Sequence, residues 1–440
     1  MIGILACRTY RHLFLAQVIA LVGTGLATVA LGLLAYDLAG AEAGAVLGTA
    51  LAIKMVAYVG VAPIAGAFAD RWPRRTMLVA LDLVRAGVAV ALPFVTEVWQ
   101  VYGLIFILQS ASAAFTPTFQ ATIPDVLPDE ADYTRALSLS RLAYDLESVV
   151  SPMLAALLLT MVSFHTLFAG TVVGFLASAA LVVSVVLPSP RPSDARRGIY
   201  DRMTRGIRIY LATPRLRGLL ALSLAIAAAS SMVIVNTVVI VQAGYGLDQQ
   251  ATAVALAAFG AGSMLAALLL PRVLDTVSDR MAMLAGTGLL AAGLLAGLWV
   301  PAYGALLPLW FVLGLGYSLA QTPTGRLLKR SAHPEDRPAV FAAQFALSHA
   351  CWLLTYPLAG WLGATAGIPA AFAALAAAAT GAVLLASRLW PGHEPAELEH
   401  THDHLPLDHP HLADAERRGD GFRHTHSIVI DADHPLWPSR

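Results

Sequence analysis

Cysteine, lysine and charge of either sign are scarce in this chain of 440 residues. Its two cysteines, Cys7 and Cys351, have no metal-site spacing, which excludes a disulfide framework. Lys54 and Lys329 are the only lysines among 28 basic residues. Charged residues make up 13% of the chain, whereas soluble proteins carry about 25%. There is no phosphate-cradling glycine loop, so ATP is not the expected energy source, and nothing suggests a nucleic-acid partner. No catalytic constellation stands out, and an enzyme is not expected.

What fills the chain instead is apolar: 58% of its residues are hydrophobic. Runs such as Leu13 to Leu34, Gly44 to Phe68 and Met161 to Leu187 are too long for a soluble core. A helix needs ~20 mostly apolar residues to cross the hydrocarbon of a bilayer. By that criterion about twelve spans are expected, over 12–36, 44–68, 76–96, 98–121, 136–161, 164–187, 217–242, 248–271, 281–300, 304–326, 338–364 and 368–388. The expected fold is an all-α polytopic membrane protein in two six-helix repeats.

Arginine sets the orientation. Connections after odd-numbered spans contain no Lys or Arg, whereas those after even-numbered spans hold Arg71, Arg74 and Arg75, then Arg135, a dense set from Arg191 to Arg217, Arg272 and Arg280, and Arg326 to Arg337. Basic short loops stay in the cytoplasm, so both termini are expected there, in the inner (plasma) membrane. The chain divides into a six-helix bundle over 1–188, a basic linker over 189–216, a second bundle over 217–388 and a tail over 389–440. Tyr200 to Tyr210 in the linker reads as an interfacial amphipathic helix.

The halves repeat at a nearly constant offset. Thr116, Pro117 and Thr118 recur as Thr322, Pro323 and Thr324 (322 − 116 = 206), and Asp70 recurs as Asp275 (275 − 70 = 205). Pro152 recurs as Pro357, and Met77-Leu78 as Met283-Leu284. Parallel repeats with a substrate site between them are a known transporter plan.

Gly66, Asp70, Arg71, Arg74 and Arg75 lie between spans two and three. This pattern resembles the loop signature of the major facilitator superfamily, and the resemblance covers residues 1 to about 388. It implies a secondary transporter whose loop gates the cytoplasmic side. The second copy departs from the pattern, with Pro271 at the glycine position and Thr276 after Asp275. Phe14 to Gln17, Ser138 to Arg141 and Ser151-Pro152 resemble the exporter branch related to siderophore and drug exporters.

Ionisable groups at mid-bilayer cost ~2.5–3.5 kcal/mol or more each, so they mark function or pairing. Lys54 lies about 15 Å into span two at 1.5 Å per residue. Arg141 and Asp145 are four apart on span five and read as a local ion pair. Glu147 points elsewhere, along a stripe with Ser140, Tyr144 and Ser151 that reads as a polar cavity wall. It is the expected proton-coupling or cation-binding carboxylate, with Lys54 as partner. In the second half the polar candidates are Asn236, Gln321, His349 and Trp352. Asp82 and Arg85 are expected to pair or snorkel.

Nine of the thirteen histidines fall between His393 and His434. His400, His402 and His404, then His409 and His411, then His424 and His426 form alternating clusters that suit Ni, Co or Zn without a fixed fold. No cofactor is required; the tail is expected to bind metal and to be largely disordered. Ile428 to Ile430 and Trp437 are candidates to dock on the inner face. A histidine-rich tail on such an exporter resembles the nickel-resistance permeases, which implies proton-coupled efflux of a divalent metal such as nickel or cobalt. Two alternatives stay open: an exporter of an organic solute, drug or siderophore with a regulatory tail, and a metal sensor without flux. The expected partners are lipid, protons and a small-molecule or metal-ion substrate.

Overall fold

The computed structural model describes residues 2–39, 43–68, 72–188, 198–392, 398–402, 416–418, 421–426, 428–431, 434 and 437. The first half comprises α1 (Arg8–Ala39), α2 (Ala43–Phe68), α3 (Arg74–Ala91), α4 (Val98–Val126), α5 (Glu130–Leu159) and α6 (Phe164–Val183). A short α7 (Ile199–Ala212) precedes α8 (Pro214–Val238), α9 (Gln249–Leu274), α10 (Asp279–Ala296), α11 (Tyr303–Gln321), α12 (Thr324–Arg330), α13 (Arg337–Thr365) and α14 (Ile368–Leu389). Each of the expected spans is helical within a few residues of its predicted limits, except that 304–326 is broken at Thr322 and Pro323.

Local chemistry sets several boundaries. Glu97 and Gln100 form a reciprocal capping box at the start of α4. The side chains of Asp129, Asp248 and Ser278 accept backbone N–H bonds at the starts of α5, α9 and α10. The repeated Thr-Pro-Thr triplet behaves differently in its two copies. Pro117 sits inside an unbroken α4, whereas the chain stops at Gln321 and restarts at Thr324, so Pro323 divides α11 from α12.

Eleven of the helices are long and apolar enough to cross a membrane, among the described residues. The α5 helix runs for 30 residues. It carries Arg135, Arg141, Asp145 and Glu147. Within the first half α1 packs on α5 and α6, and α4 on α2 and α3; within the second, α11 packs on α9 and α10, and α8 on α13 and α14. Two seams join the halves, α2 against α13 and α5 against α9.

In the tail, β1 (Leu398–His402), β2 (Glu416–Arg418) and β3 (Gly421–His426) form an antiparallel sheet in the order β1-β3-β2. Ile428 and Ile430 are buried, and Ile430 packs into a cluster that includes Tyr210, Leu216, Leu219 and Trp390. The Arg215 guanidinium lies 5.3 Å from the Trp437 ring centroid. The docking expected of this apolar segment is therefore present in the fold.

Candidate functional site between the two halves

The α5 helix presents two polar stripes to different neighbours. Arg141 and Asp145, one turn apart, form a buried ion pair. Asp145 also accepts a 2.6 Å hydrogen bond from the Ser263 hydroxyl of α9. Arg141 donates from Nη1 to the Tyr317 hydroxyl of α11 at 3.2 Å and lies 4.9 Å from that ring's centroid. One guanidinium is thus shared between a carboxylate of its own helix and a phenol of the other half. The sequence signalled the pair; its two partners in the second half, Ser263 and Tyr317, were not among the candidates.

The second stripe turns toward α1. Ser140 donates to Gln17 at 3.0 Å, and Tyr144 bonds the same amide. Lower on the stripe, the Glu147 carboxylate and Ser151 crowd Gly25 so closely that a Cβ there would overlap both. The stripe read as a cavity wall is packed against α1 in this structure. Glu147 makes no ion pair within 4 Å among the described residues, and Lys54 is the cation within its electrostatic reach.

At the other seam Lys54 sits 5.5 Å from the Tyr58 ring centroid. Tyr58 packs at 4.8 Å on Phe345 and edge-on at 4.7 Å on His349, both of α13. His349 Nδ1 lies 2.7 Å from the Phe345 carbonyl oxygen, so its Nδ1–H donates there. Trp352 and Tyr356 stack one turn further on, at 5.0 Å. Gln321 closes α11 half-buried, one turn beyond Tyr317 on the same face. Asn236 is buried and donates to the Ala359 carbonyl at 3.1 Å.

The two seams are related by the internal repeat. Tyr58 maps onto Ser263 (263 − 58 = 205) and Tyr144 onto His349 (349 − 144 = 205).

At the arginine-rich end, Arg74 of α3 is buried and paired with Asp125 at the end of α4. The same carboxylate accepts a 2.7 Å bond from Arg337, which begins α13. Arg326 reaches Glu130 at 2.7 Å and Asp279 at 3.1 Å, and Lys329 donates to the Pro128 carbonyl at 2.7 Å. These contacts tie the halves together at this end. Gly66 adds close packing: a Cβ there would lie 2.7 Å from the Ala342 Cβ. Arg75 is exposed. Asp70 and Arg71 lie outside the described residues. Where Pro271 replaces the glycine, the equivalent end of the α5–α9 seam holds a groove of ≈ 760 Å³ lined by residues including Thr134, Leu265, Leu268, Pro271 and Arg272. Its lining includes neither Arg141 nor Glu147.

Asp82 and Arg85 form a buried ion pair inside the first half, with Ser178 donating to Asp82 at 2.8 Å and Arg85 over the Phe115 ring at 4.0 Å. The expected pairing is confirmed, and it belongs to the bundle interior.

The metal candidates lie in the tail. His404, His409 and His411 lie outside the described residues, and of His400 and His402 only the strand placement is described. His424 and His426 approach each other and also His434, which the spacing argument did not single out. Among the described residues this is the one group of three metal-ligating side chains within mutual reach. Burial raises the Asp431 carboxyl, but hydrogen bonds from His333 and His434 outweigh it and hold that group well below the usual carboxylate range.

Comparison with known proteins extends these observations. The Major Facilitator Superfamily profile matches residues 13–254 and 219–408. The chain is 22% identical over 290 residues to the uncharacterized MFS-type transporter YfiS of Bacillus subtilis, covering 64% of this chain and 69% of that protein. It is 27% identical over 189 residues to Macrolide efflux protein A of Streptococcus pyogenes, covering 40% of this chain and 46% of the relative. That match therefore spans a little under half the relative's length. Among solved structures, the human organic anion transporter MFSD10 (TETRAN) superposes with a TM-score of 0.75 at 13% identity, covering 86% of this chain and 99% of that one. A bacterial homologue of the iron transporter ferroportin, in an outward-facing state, gives 0.73 at 12% identity, covering 87% and 99%.

Proposed function

This chain belongs to the Major Facilitator Superfamily and is a multi-pass membrane transporter; from that premise we propose that it is a proton-coupled exporter of an amphipathic organic solute. The observation that carries this reading is the seam pair. At one seam a cation, Arg141, is held between Asp145 and Tyr317; at the other, Tyr58, Phe345 and His349 from both halves form an aromatic cluster. Aromatic faces with a few fixed polar groups suit an organic solute. A bare metal ion needs several donors converging on one point, and the converging donors found lie in the tail. Likeness to a macrolide efflux protein supports the outward direction.

Charge movement on α5 drives the cycle in this reading. The Asp145 carboxylate restrains both Arg141 and Ser263, so its neutralisation loosens the α5–α9 seam. Glu147 is the coupling carboxylate in this reading, with Lys54 as its partner. The Arg74–Asp125–Arg337 contact acts as the gate on the cytoplasmic side, with both termini in the cytoplasm and the chain in the plasma membrane. Glu147→Gln should abolish pH-driven efflux of a lipophilic fluorescent dye from inverted vesicles while leaving the protein in the membrane. Undiminished pH-driven efflux in that variant removes Glu147 from the mechanism.

A second reading, export of a divalent metal such as nickel or cobalt, is favoured by the three converging tail histidines. A metal-sensitive strain separates the two. Rescue by the full chain, with no dye efflux in vesicles, selects the metal.

A further inference from the structure

We propose that the docked tail carries a transition-metal site built from His424, His426 and His434, and that metal bound there tightens a latch onto the connection between α12 and α13. The ligand class is a borderline divalent ion that favours neutral imidazole, such as Ni(II), Co(II) or Zn(II). The proposal goes beyond the export reading, because it concerns control of the transporter and does not require metal to be the cargo.

Strand geometry supplies two of the ligands. His424 and His426 alternate on β3, and residues two apart share a face of a strand. Their ring centroids are 4.7 Å apart, and that of His434 is 4.9 Å from His426. One ring nitrogen from each of the three lies within 4.8 Å of the other two. His400 is the Cα partner of His424 in the β1–β3 register, so a fourth histidine stands at an adjacent position of the sheet.

His434 is held as a metal-ligating histidine usually is. It is 5% exposed. Its Nδ1 lies 3.0 Å from Asp431 Oδ1, and its backbone N–H donates to the same oxygen at 2.7 Å. A carboxylate on Nδ1–H fixes the tautomer and the ring orientation, the arrangement found behind many zinc-bound histidines.

The same carboxylate reaches the transporter. Asp431 Oδ2 lies 3.2 Å from His333 Nε2, in the short connection between α12 and α13. Three residues further on, Asp336 pairs with Arg205 of α7, and Arg337 pairs with Asp125 of the first half. Ile430 and Trp437 anchor the segment on either side of Asp431. A metal that fixes His434 therefore fixes Asp431, and through it His333 and the start of α13. Occupancy holds the arginine-rich end shut.

The test uses the full chain, purified in detergent, with Ni(II) as the probe. Each variant is first checked for a monodisperse size-exclusion profile. His434→Ala and the double His424→Ala/His426→Ala variant should weaken the tightest Ni(II) site by about tenfold or more, and Asp431→Asn by about 10–100-fold. The double His409→Ala/His411→Ala variant serves as a tail control and should change it by less than about threefold. Equal affinity in all these variants overturns the site. For the latch, Ni(II) should slow hydrogen exchange over residues 331–337 in the parent chain. In His333→Ala it should bind with little loss yet leave that exchange unchanged. An equal metal effect in both chains overturns the latch. Neither readout involves transport, so a chain that binds Ni(II) and moves no dye refutes the export reading alone.

Discussion

The two seams that join the halves occupy equivalent places in the repeat but are made of opposite materials. Between α5 and α9 the contact is ionic: Asp145 holds Arg141 and accepts from Ser263. Between α2 and α13 it is aromatic: Tyr58 lies against Phe345 and His349. Their arginine-rich ends differ as well, sealed at Gly66 against Ala342 on one side and open as a groove beside Pro271 on the other. An ionic seam responds to one proton, because removing a charge changes its energy by kilocalories. An aromatic seam resists separation chiefly through its area. Symmetry of fold thus coexists with a difference in material: one seam is ionic and the other aromatic.

The most severe way to break this comparison is to unbalance the ionic seam. Arg141→Ala leaves Asp145 buried without its cation and should cost about 3–5 kcal/mol, read as a lowered detergent melting temperature. Replacing both residues by Leu should restore most of that stability without restoring transport. Recovery of transport by the double variant would refute a role for the pair. Next in size, Asp125→Asn removes the carboxylate shared by Arg74 and Arg337, a loss of about 1.5–3 kcal/mol. It should speed labelling of the buried Cys351 by a membrane-permeant thiol reagent by about tenfold per 1.4 kcal/mol, with Cys7 replaced by Ser.

Smaller effects sharpen the contrast between the sealed and open ends. Gly66→Leu must push α13 away from α2, at about 1–3 kcal/mol of overpacking, whereas Pro271→Ala beside the groove should stay within about 0.5 kcal/mol. Equal melting shifts for the two would deny the asymmetry. Smallest among the seam changes, Tyr58→Leu removes a ring contact worth about 0.5–1.5 kcal/mol. It should raise the apparent KM for an aromatic dye more than it lowers stability.

The sequence carried nearly all of the helical plan, because long apolar runs and arginine-bearing connections are local signals. It carried the site less completely. The Arg141–Asp145 pair was legible because four residues make one helical turn. Tyr317 and Ser263 were not, because their meaning depends on which helix of the other half stands opposite. Glu147 was recognised as unusual, but the direction of its stripe was not. Periodicity says that Ser140, Tyr144 and Ser151 share a face; it does not say whether that face meets a cavity or the small residue Gly25 of α1. The tail was legible as composition alone. His434 escaped notice because it stands eight residues beyond His426, and a turn at Asp431 brings it back.

The charge content of α5 reaches back to how the chain is made. Hydrophobic segments leave the translocon for lipid by their own partitioning, but each Arg or Asp near the centre of a segment opposes that by ~2.5–3.5 kcal/mol. The α5 helix, placed between two such segments, carries Arg141, Asp145 and Glu147 along its length. Its Ser140 and Tyr144 are satisfied by Gln17 of a helix synthesised much earlier. The polar face of α5 thus finds its partner on α1, a segment already made when α5 emerges.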